Sequence, residues 1–325
     1  MPGLPESTNS YFRNKKFWLV LLGIGVAAGL SSCLLLRGGH KDVWPVARPI
    51  DVPGQGFTVF VAGDIANCKK HLPPKSGAAK TAALIAPEFA SNKDSAVLLL
   101  GDATYPVGRL EEFAECYEPT WGQFKARTYP APGNHEYYTP GAVGYFAYFG
   151  AAARPQGRSY YSVELGKWHV ISLNSNLTPA EHLEQLAWLK ADLDSNKAAC
   201  TLAYWHHPVF SSGGHGSNEN MVDVWRMLDA ANADVVLASH DHNYERFAPQ
   251  DAEGRRNEER GIRSFVVGTG GTSLTPFGLR KTNSAVSTNV ALGVLRMVLK
   301  DTGYEWEFMA VPGTGFTDRG AALCH

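Results

Sequence analysis

The sequence predicts an α/β protein. Short apolar runs alternate with helical patterns, the signature of strands joined by helices in one sheet system. Thirty-three Gly and 19 Pro in 325 residues argue against a chain that is nearly all helix. Polar residues gather directly after the apolar runs, as they do where strand ends build a site.

The predicted strands are Phe57–Ala62, Ala96–Leu100, Trp168–Asn174, Thr201–Trp205, Asp234–Ser239 and Arg263–Val267, with a short run at Arg127–Ala131. Thr178-Pro179-Ala180-Glu181 reads as a capping box with Pro at the first helical position. Leu183, Leu186, Leu189 and Leu193 then form a helical stripe. Glu111–Trp121 and Met221–Ala231 are further expected helices. Val294–Lys300 and Tyr304–Val311, joined by Asp301-Thr302-Gly303, read as a closing hairpin.

Phe17 to Leu36 is 20 residues without a charge, preceded by Arg13, Lys15 and Lys16. About 20 apolar residues span a bilayer, and the basic flank predicts a cytoplasmic N-terminus. Residues 1–36 are therefore expected to be a signal anchor or a signal peptide. Leu30-Ser31-Ser32-Cys33 is like a lipobox, although Leu34, Leu35 and Leu36 follow the Cys. Either way the remainder would face away from the cytoplasm, exported, with the membrane as a partner through residues 17–36. Residues 37–55 read as a polar linker and 56–325 as one domain. Cys68, Cys116, Cys200 and Cys324 include no C-x-x-C pair. Four Cys in an oxidising compartment suggest two disulfides, with three connectivities open. The pairing carried forward is Cys68–Cys116 with Cys200–Cys324.

Lys+Arg 30 against Asp+Glu 31 gives a net charge of −1. That lacks the basic excess of a general nucleic-acid binder, so no nucleic-acid partner is expected. Five strand ends instead deliver Asp, Asn or His: Gly63-Asp64, Gly101-Asp102, Gly133-Asn134-His135-Glu136, His206-His207 and His240-Asp241-His242. Oxygen and imidazole donors without thiolate suit Zn, Mn or Fe. Six to seven of them are too many for one catalytic zinc, and suit two metals about 3.5–4 Å apart.

In this order the motifs resemble those of the calcineurin-like metallophosphoesterases, and more narrowly the purple acid phosphatases. Most of that superfamily carries a metal-binding His two residues after the first Asp. Here that position is Ala66. Purple acid phosphatases also lack the His and use a Tyr three residues after the second Asp, where this chain has Tyr105. The resemblance implies a sandwich of two mixed sheets flanked by helices, in four layers α/β/β/α. It implies one metal on Asp64, Asp102, Tyr105 and His242, and a second on Asp102, Asn134, His206 and His240. A phenolate is a hard anionic donor, so Fe(3+) is expected at the Tyr105 site, with Zn, Mn or Fe(2+) at the second.

His135 and His215 match the family's substrate-facing histidines, one of them the proton donor. Asn134, His135, His207 and His215 are the expected substrate contacts. The implied activity is that of an acid phosphatase-like phosphomonoesterase, with a metal-bound hydroxide attacking a phosphate ester. A metal-dependent phosphodiesterase is the alternative, and a non-enzymatic surface protein that keeps the fold is the second. The first motif ends in Ala66 where the family usually has Gly, and Ser239 stands where the last motif usually has Gly. Gly268-Thr269-Gly270-Gly271 lacks a dinucleotide-binding spacing and is read as a turn at the pocket rim.

Overall fold

A computed structural model of the chain describes residues 52–325. The apolar run 17–36, Cys33 and most of the expected linker lie outside the described residues. The end of that linker is packed: Val52 is buried and its carbonyl accepts a bond from Lys300 Nζ at 2.7 Å. Among the described residues no helix is long and apolar enough to cross a membrane.

The first half of the chain runs β1 (Gly56–Ala62), α1 (Gly77–Ser91), β2 (Ser95–Leu100), α2 (Leu110–Glu112), β3 (Thr128–Ala131), α3 (Asn134–Tyr137), α4 (Val143–Phe149), β4 (Tyr161–Leu165) and β5 (Trp168–Ser172). The second half runs α5 (Pro179–Ser195), β6 (Cys200–Tyr204), α6 (Val222–Ala230), β7 (Val235–Ala238), β8 (Tyr244–Phe247), β9 (Arg263–Val267), β10 (Ser284–Thr288), β11 (Gly293–Lys300), β12 (Gly303–Ala310) and β13 (Arg319–Leu323).

These strands form two mixed sheets. One has the order β13-β12-β11-β1-β2-β3, the other β10-β8-β9-β7-β6-β5-β4. The β1, β2 and β3 strands are parallel, as are β5, β6, β7 and β9. Each inner strand splits its side chains between two apolar layers, because successive residues point to opposite faces. Val59, Val61, Leu98 and Leu100 meet Val170, Leu202, Val235 and Leu237 between the sheets. Phe60, Ala62, Val97 and Leu99 pack outward on Ala78, Ala82, Ile85 and Phe89 of α1. Ile171, Ala203 and Val236 pack outward on Leu189 of α5 and on Val224 and Leu228 of α6. Helix, sheet, sheet and helix therefore follow one another, as the resemblance implied. Continuous apolar runs were the visible sign of strands covered on both faces.

The hairpin of β11 and β12 and the cap on α5 form as expected. The Glu181 N–H reaches Thr178 Oγ1 at 3.4 Å, and the Thr178 N–H reaches Glu181 Oε2 at 3.0 Å. The leucine stripe does not hold throughout. Leu183 is 67% exposed, and the buried positions of α5 are Gln185 and Leu189. Gln185 turns inward because its Oε1 accepts the Asn174 N–H at 2.8 Å. The helix expected over 111–121 is also broken. The short α2 runs into a π-helical turn at Phe113–Tyr117, and a 3-10 stretch follows at Trp121–Arg127. Pro119 stands between them and has no N–H to continue a helix.

Disulfides join Cys68 to Cys116 and Cys200 to Cys324, with Cα separations of 5.8 and 5.5 Å.

Candidate metal centre

The site begins where β1 and β2 end. Past the sheet the two segments run on side by side. The Asp64 N–H donates to Gly101 O at 3.2 Å, Ile65 N–H to Asp102 O at 3.0 Å, and Ala66 N–H to Ala103 O at 3.0 Å. The Tyr105 N–H then returns to Ala66 O at 3.0 Å. This short ladder sets Asp64 beside Asp102 and aims Tyr105 back at both. Gly101 has φ +90°, and a Cβ there would run into Gly133 and the His206 ring. Glycine is therefore required before Asp102.

Four expected donors meet on this side. Tyr105 Oη lies 2.8 Å from Asp64 Oδ1, 3.2 Å from Asp102 Oδ2 and 3.2 Å from His242 Nε2. His242 Nε2 is 3.3 Å from Asp64 Oδ1. The remaining donors meet on the other side. His206 Nε2 is 3.0 Å from Asn134 Oδ1, 3.2 Å from His240 Nδ1 and 3.4 Å from Asp102 Oδ2. The single atom Asp102 Oδ2 therefore faces both groups.

Backbone carbonyls set the ring orientations. A carbonyl can only accept, so His206 Nδ1–H donates to Leu100 O at 2.9 Å and His242 Nδ1–H to Ser273 O at 2.9 Å. Each ring keeps its Nε2 for the interior. This is how metal-binding imidazoles are held. Asp64, Asp102 and His240 all adopt left-handed backbone, with φ of 58°, 49° and 68°. Each such residue costs roughly 1–3 kcal/mol and persists where surrounding structure dictates it, often at functional sites.

The electrostatics demand positive charge. Asp64 and Asp102 are fully buried, and their ion-pair partners among the described residues are histidines. Burial works to raise the Asp64 carboxyl, but the charge of His242 prevails and holds it well below the usual range. Burial likewise opposes charge on His206 and His242, yet Asp102 and Asp64 draw each of them up to about 9. Burial, followed by the charges of Asp64 and Asp102, pushes the Tyr105 phenol well above its ordinary value. Carboxylates, phenol, amide and imidazoles converging around a shared oxygen fit a pair of cations.

The expected substrate contacts surround this cluster. The His135 ring lies tilted against Tyr105 with 4.3 Å between ring centres, and its Nε2 is 3.8 Å from Asp102 Oδ2. Its Nδ1–H donates to Pro106 O at 2.6 Å. His215 is exposed, 4.6 Å from the His240 ring. His207 lies 4.4 Å from His240, and its Nδ1 is 2.8 Å from Ser175 Oγ. Burial and then His206 hold the His207 imidazole down at about 3, so it is neutral.

A supporting layer was not anticipated. Buried Glu136 accepts the N–H groups of Asp102 at 2.8 Å, Ala103 at 2.9 Å and Gly133 at 2.7 Å. Tyr138 Oη accepts from Asn134 Nδ2 at 2.9 Å. Asp241 accepts the His215 N–H at 2.8 Å and Ser211 Oγ–H, holding the loop that carries His215. Ser239 Oγ–H reaches Leu100 O at 2.7 Å. Glu136 and Asp241 stood inside the motifs, and Tyr138 lies four residues after Asn134, a spacing that brings side chains together. Of the 268–271 turn, Gly271 lines a cavity while Gly268 is packed inward. A Cβ there would run into the Asp241 backbone and the Asp64 carboxylate, so the 268–271 turn packs against the site's floor.

A calcineurin-like phosphoesterase family model matches residues 57–244. The chain belongs to the calcineurin-like phosphoesterase family. It is similar to purple acid phosphatase 21 of Arabidopsis thaliana, 29% identical over 198 residues, which cover 54% of this chain and 43% of that relative. Purple acid phosphatase 18 of the same plant is 30% identical over 118 residues, covering 34% of this chain and 26% of the relative. The chain thus spans less than half the length of either curated relative. Among solved structures, a purple acid phosphatase from yellow lupin seeds superposes with a TM-score of 0.65 at 20% identity, over 83% of this chain and 54% of that one. GAP50, the anchor in the inner membrane complex of Plasmodium, superposes with a TM-score of 0.60 at 15% identity, over 83% of this chain and 89% of that one. Both share the two-sheet fold. Membership of this phosphoesterase family implies a binuclear metal centre in this chain.

Proposed function

We propose that this protein is a binuclear metal-dependent phosphomonoesterase of the acid phosphatase kind, acting outside the cytoplasm. One observation carries the reading. Two groups of donors meet at Asp102 Oδ2, which Tyr105 reaches from one side and His206 from the other, and Tyr105 rather than a histidine completes the first group. Asp64, Asp102, Tyr105 and His242 would hold Fe(3+), which suits a hard phenolate. Asp102, Asn134, His206 and His240 would hold Zn, Mn or Fe(2+). When bound, the two ions supply an acidified water and neutralise phosphate charge.

The chain's own residues would do the rest. Asn134 and His207 line the approach to phosphate oxygens. His135 spends its Nδ1–H on Pro106, so only its imidazolium form carries a second proton, on Nε2. That proton can pass to the departing oxygen. His215, exposed on its pinned loop, is the second candidate donor. No side-chain nucleophile is needed.

Export rests on the uncharged run 17–36 behind basic residues, and on two disulfides, which persist in oxidising compartments. The fold alone does not carry the activity. The fold neighbour described as an anchor is why the donor set, not the superposition, bears the reading. A phosphodiesterase with the same centre is separated by comparing mono- and diester turnover.

The deciding measurement is metal content with the visible spectrum of the purified protein. Two metals per chain, one of them iron with a violet band lost in Tyr105→Phe, is the expected result. Two metals without iron would retain a hydrolase but remove the Fe(3+) assignment. A chain that binds no metal even after reloading would overturn the reading.

A further inference from the structure

A cavity of about 320 Å3 has a lining that includes Lys70, His71, Lys75 and Lys80 but no carboxylate. The three lysines are exposed, and none of them has an ion-pair partner among the described residues. Their roots are held rather than loose. Cys68 is tied to Cys116, and Asn67 Nδ2 reaches Thr272 Oγ1 at 3.3 Å. A 3-10 turn spans Pro73–Lys75, where the Lys75 N–H donates to Leu72 O at 2.9 Å. Ser76 Oγ–H donates to Pro73 O at 2.7 Å and in turn accepts the Ala79 N–H at 3.2 Å. Like charges gathered on a braced segment repel one another, and an anion between them relieves that cost.

The cavity shares a wall with the metal centre. Thr272 and Ser273 line it. The Thr272 N–H donates to the Asp64 carbonyl at 3.0 Å, and the Ser273 carbonyl accepts the His242 Nδ1–H at 2.9 Å. An anion in the cavity is therefore one short chain segment away from two expected metal ligands.

We propose that this cavity is an anion subsite for a second phosphate group, carried on the same molecule as the phosphate that reacts. The substrate class is then polyphosphorylated, a phosphoanhydride chain or an ester bearing several phosphates. This rests on the phosphoesterase reading for the reacting phosphate and adds the subsite to it.

The test uses the full-length, metal-loaded protein with inorganic tripolyphosphate and p-nitrophenyl phosphate as substrates. Wild type is compared with the triple variant Lys70→Ala, Lys75→Ala, Lys80→Ala and with the corresponding triple Arg variant. Three exposed charge contacts together amount to about tenfold. The expected result is a loss of that size in kcat/KM for tripolyphosphate, p-nitrophenyl phosphate turnover within about twofold of wild type, and recovery with Arg. An unchanged tripolyphosphate value overturns the subsite. So does an equal loss on both substrates at an unaltered unfolding midpoint. If wild type turns over neither substrate, the phosphoesterase reading fails on its own. Calorimetric binding of tripolyphosphate then decides the cavity: weakened binding in the Ala triple supports it, and equal binding overturns it.

Discussion

The Asn134 side-chain amide donates from Nδ2 to Tyr138 Oη at 2.9 Å, which leaves Asn134 Oδ1 facing His206 Nε2 at 3.0 Å. A carboxamide has one oxygen to offer a cation, and Tyr138 decides which way that oxygen points. Tyr138→Phe frees the amide to rotate. Partners behind a metal ligand typically matter by about 10–100-fold. We expect that loss in affinity for the second metal, read by metal titration of the depleted protein. An unchanged affinity would show that Asn134 is oriented without Tyr138.

Asp102 Oδ2 faces both donor groups, so Asp102→Ala should remove activity and lower metal content below two per chain. Turnover near the wild-type value would sink the binuclear scheme.

Glu136 is buried and receives three backbone N–H groups from the Asp102 and Gly133 turns. Burial, and then the charge of Asp102, lift its carboxyl to about 8. Glu136→Gln turns an NH2 group toward donors that need an acceptor. An unsatisfied buried polar group costs about 1–3 kcal/mol. A loss of that order in unfolding free energy is expected from denaturant titration.

His169 supplies a pH dependence away from the metals. It is nearly buried between Asp192 at 2.7 Å and Glu164 at 2.9 Å. Burial works against its charge, but the bonds to Asp192 and Glu164 prevail and raise it above 6.5. The folded state holds the proton more tightly than the unfolded one. The stabilisation is thus fully present below about 6.5 and fades as pH rises through the folded value. His169→Gln should flatten the fall of the unfolding midpoint over that alkaline range. A parallel fall in both proteins would assign the effect elsewhere.

The Cys200–Cys324 bridge spans 124 residues and ties β6 to the end of the chain. Removing a native disulfide of this kind typically costs about 2–5 kcal/mol. Cys200→Ser with Cys324→Ser should lower the unfolding midpoint accordingly, and a midpoint equal to that of wild type would show that the bridge contributes nothing.

Strands buried on both faces were legible because burial on both faces demands an unbroken apolar run, as in β2 and β6. Three of the four edge strands, β4, β10 and β13, were not. The β10 and β13 strands are mostly half-exposed, so they carry no such run. Nor did the sequence patterns single out α4, between β3 and β4. Its Gly144 is pressed against the Gly108–Leu110 backbone, a contact made through space.

By itself the sequence determined the α/β class, the donor inventory and the family. Each of these depends on residue type and on spacing along the chain. Only the tertiary structure decided that Asp102 Oδ2 lies between the two donor groups, that Asp64, Asp102 and His240 sit on left-handed backbone, and that Glu136, Tyr138 and Asp241 hold the site in place. It also set Lys70, Lys75 and Lys80 around a cavity that Thr272 and Ser273 line. These are relations between atoms far apart in sequence. They exist only once two sheets have packed and their strand ends have been brought together on one side.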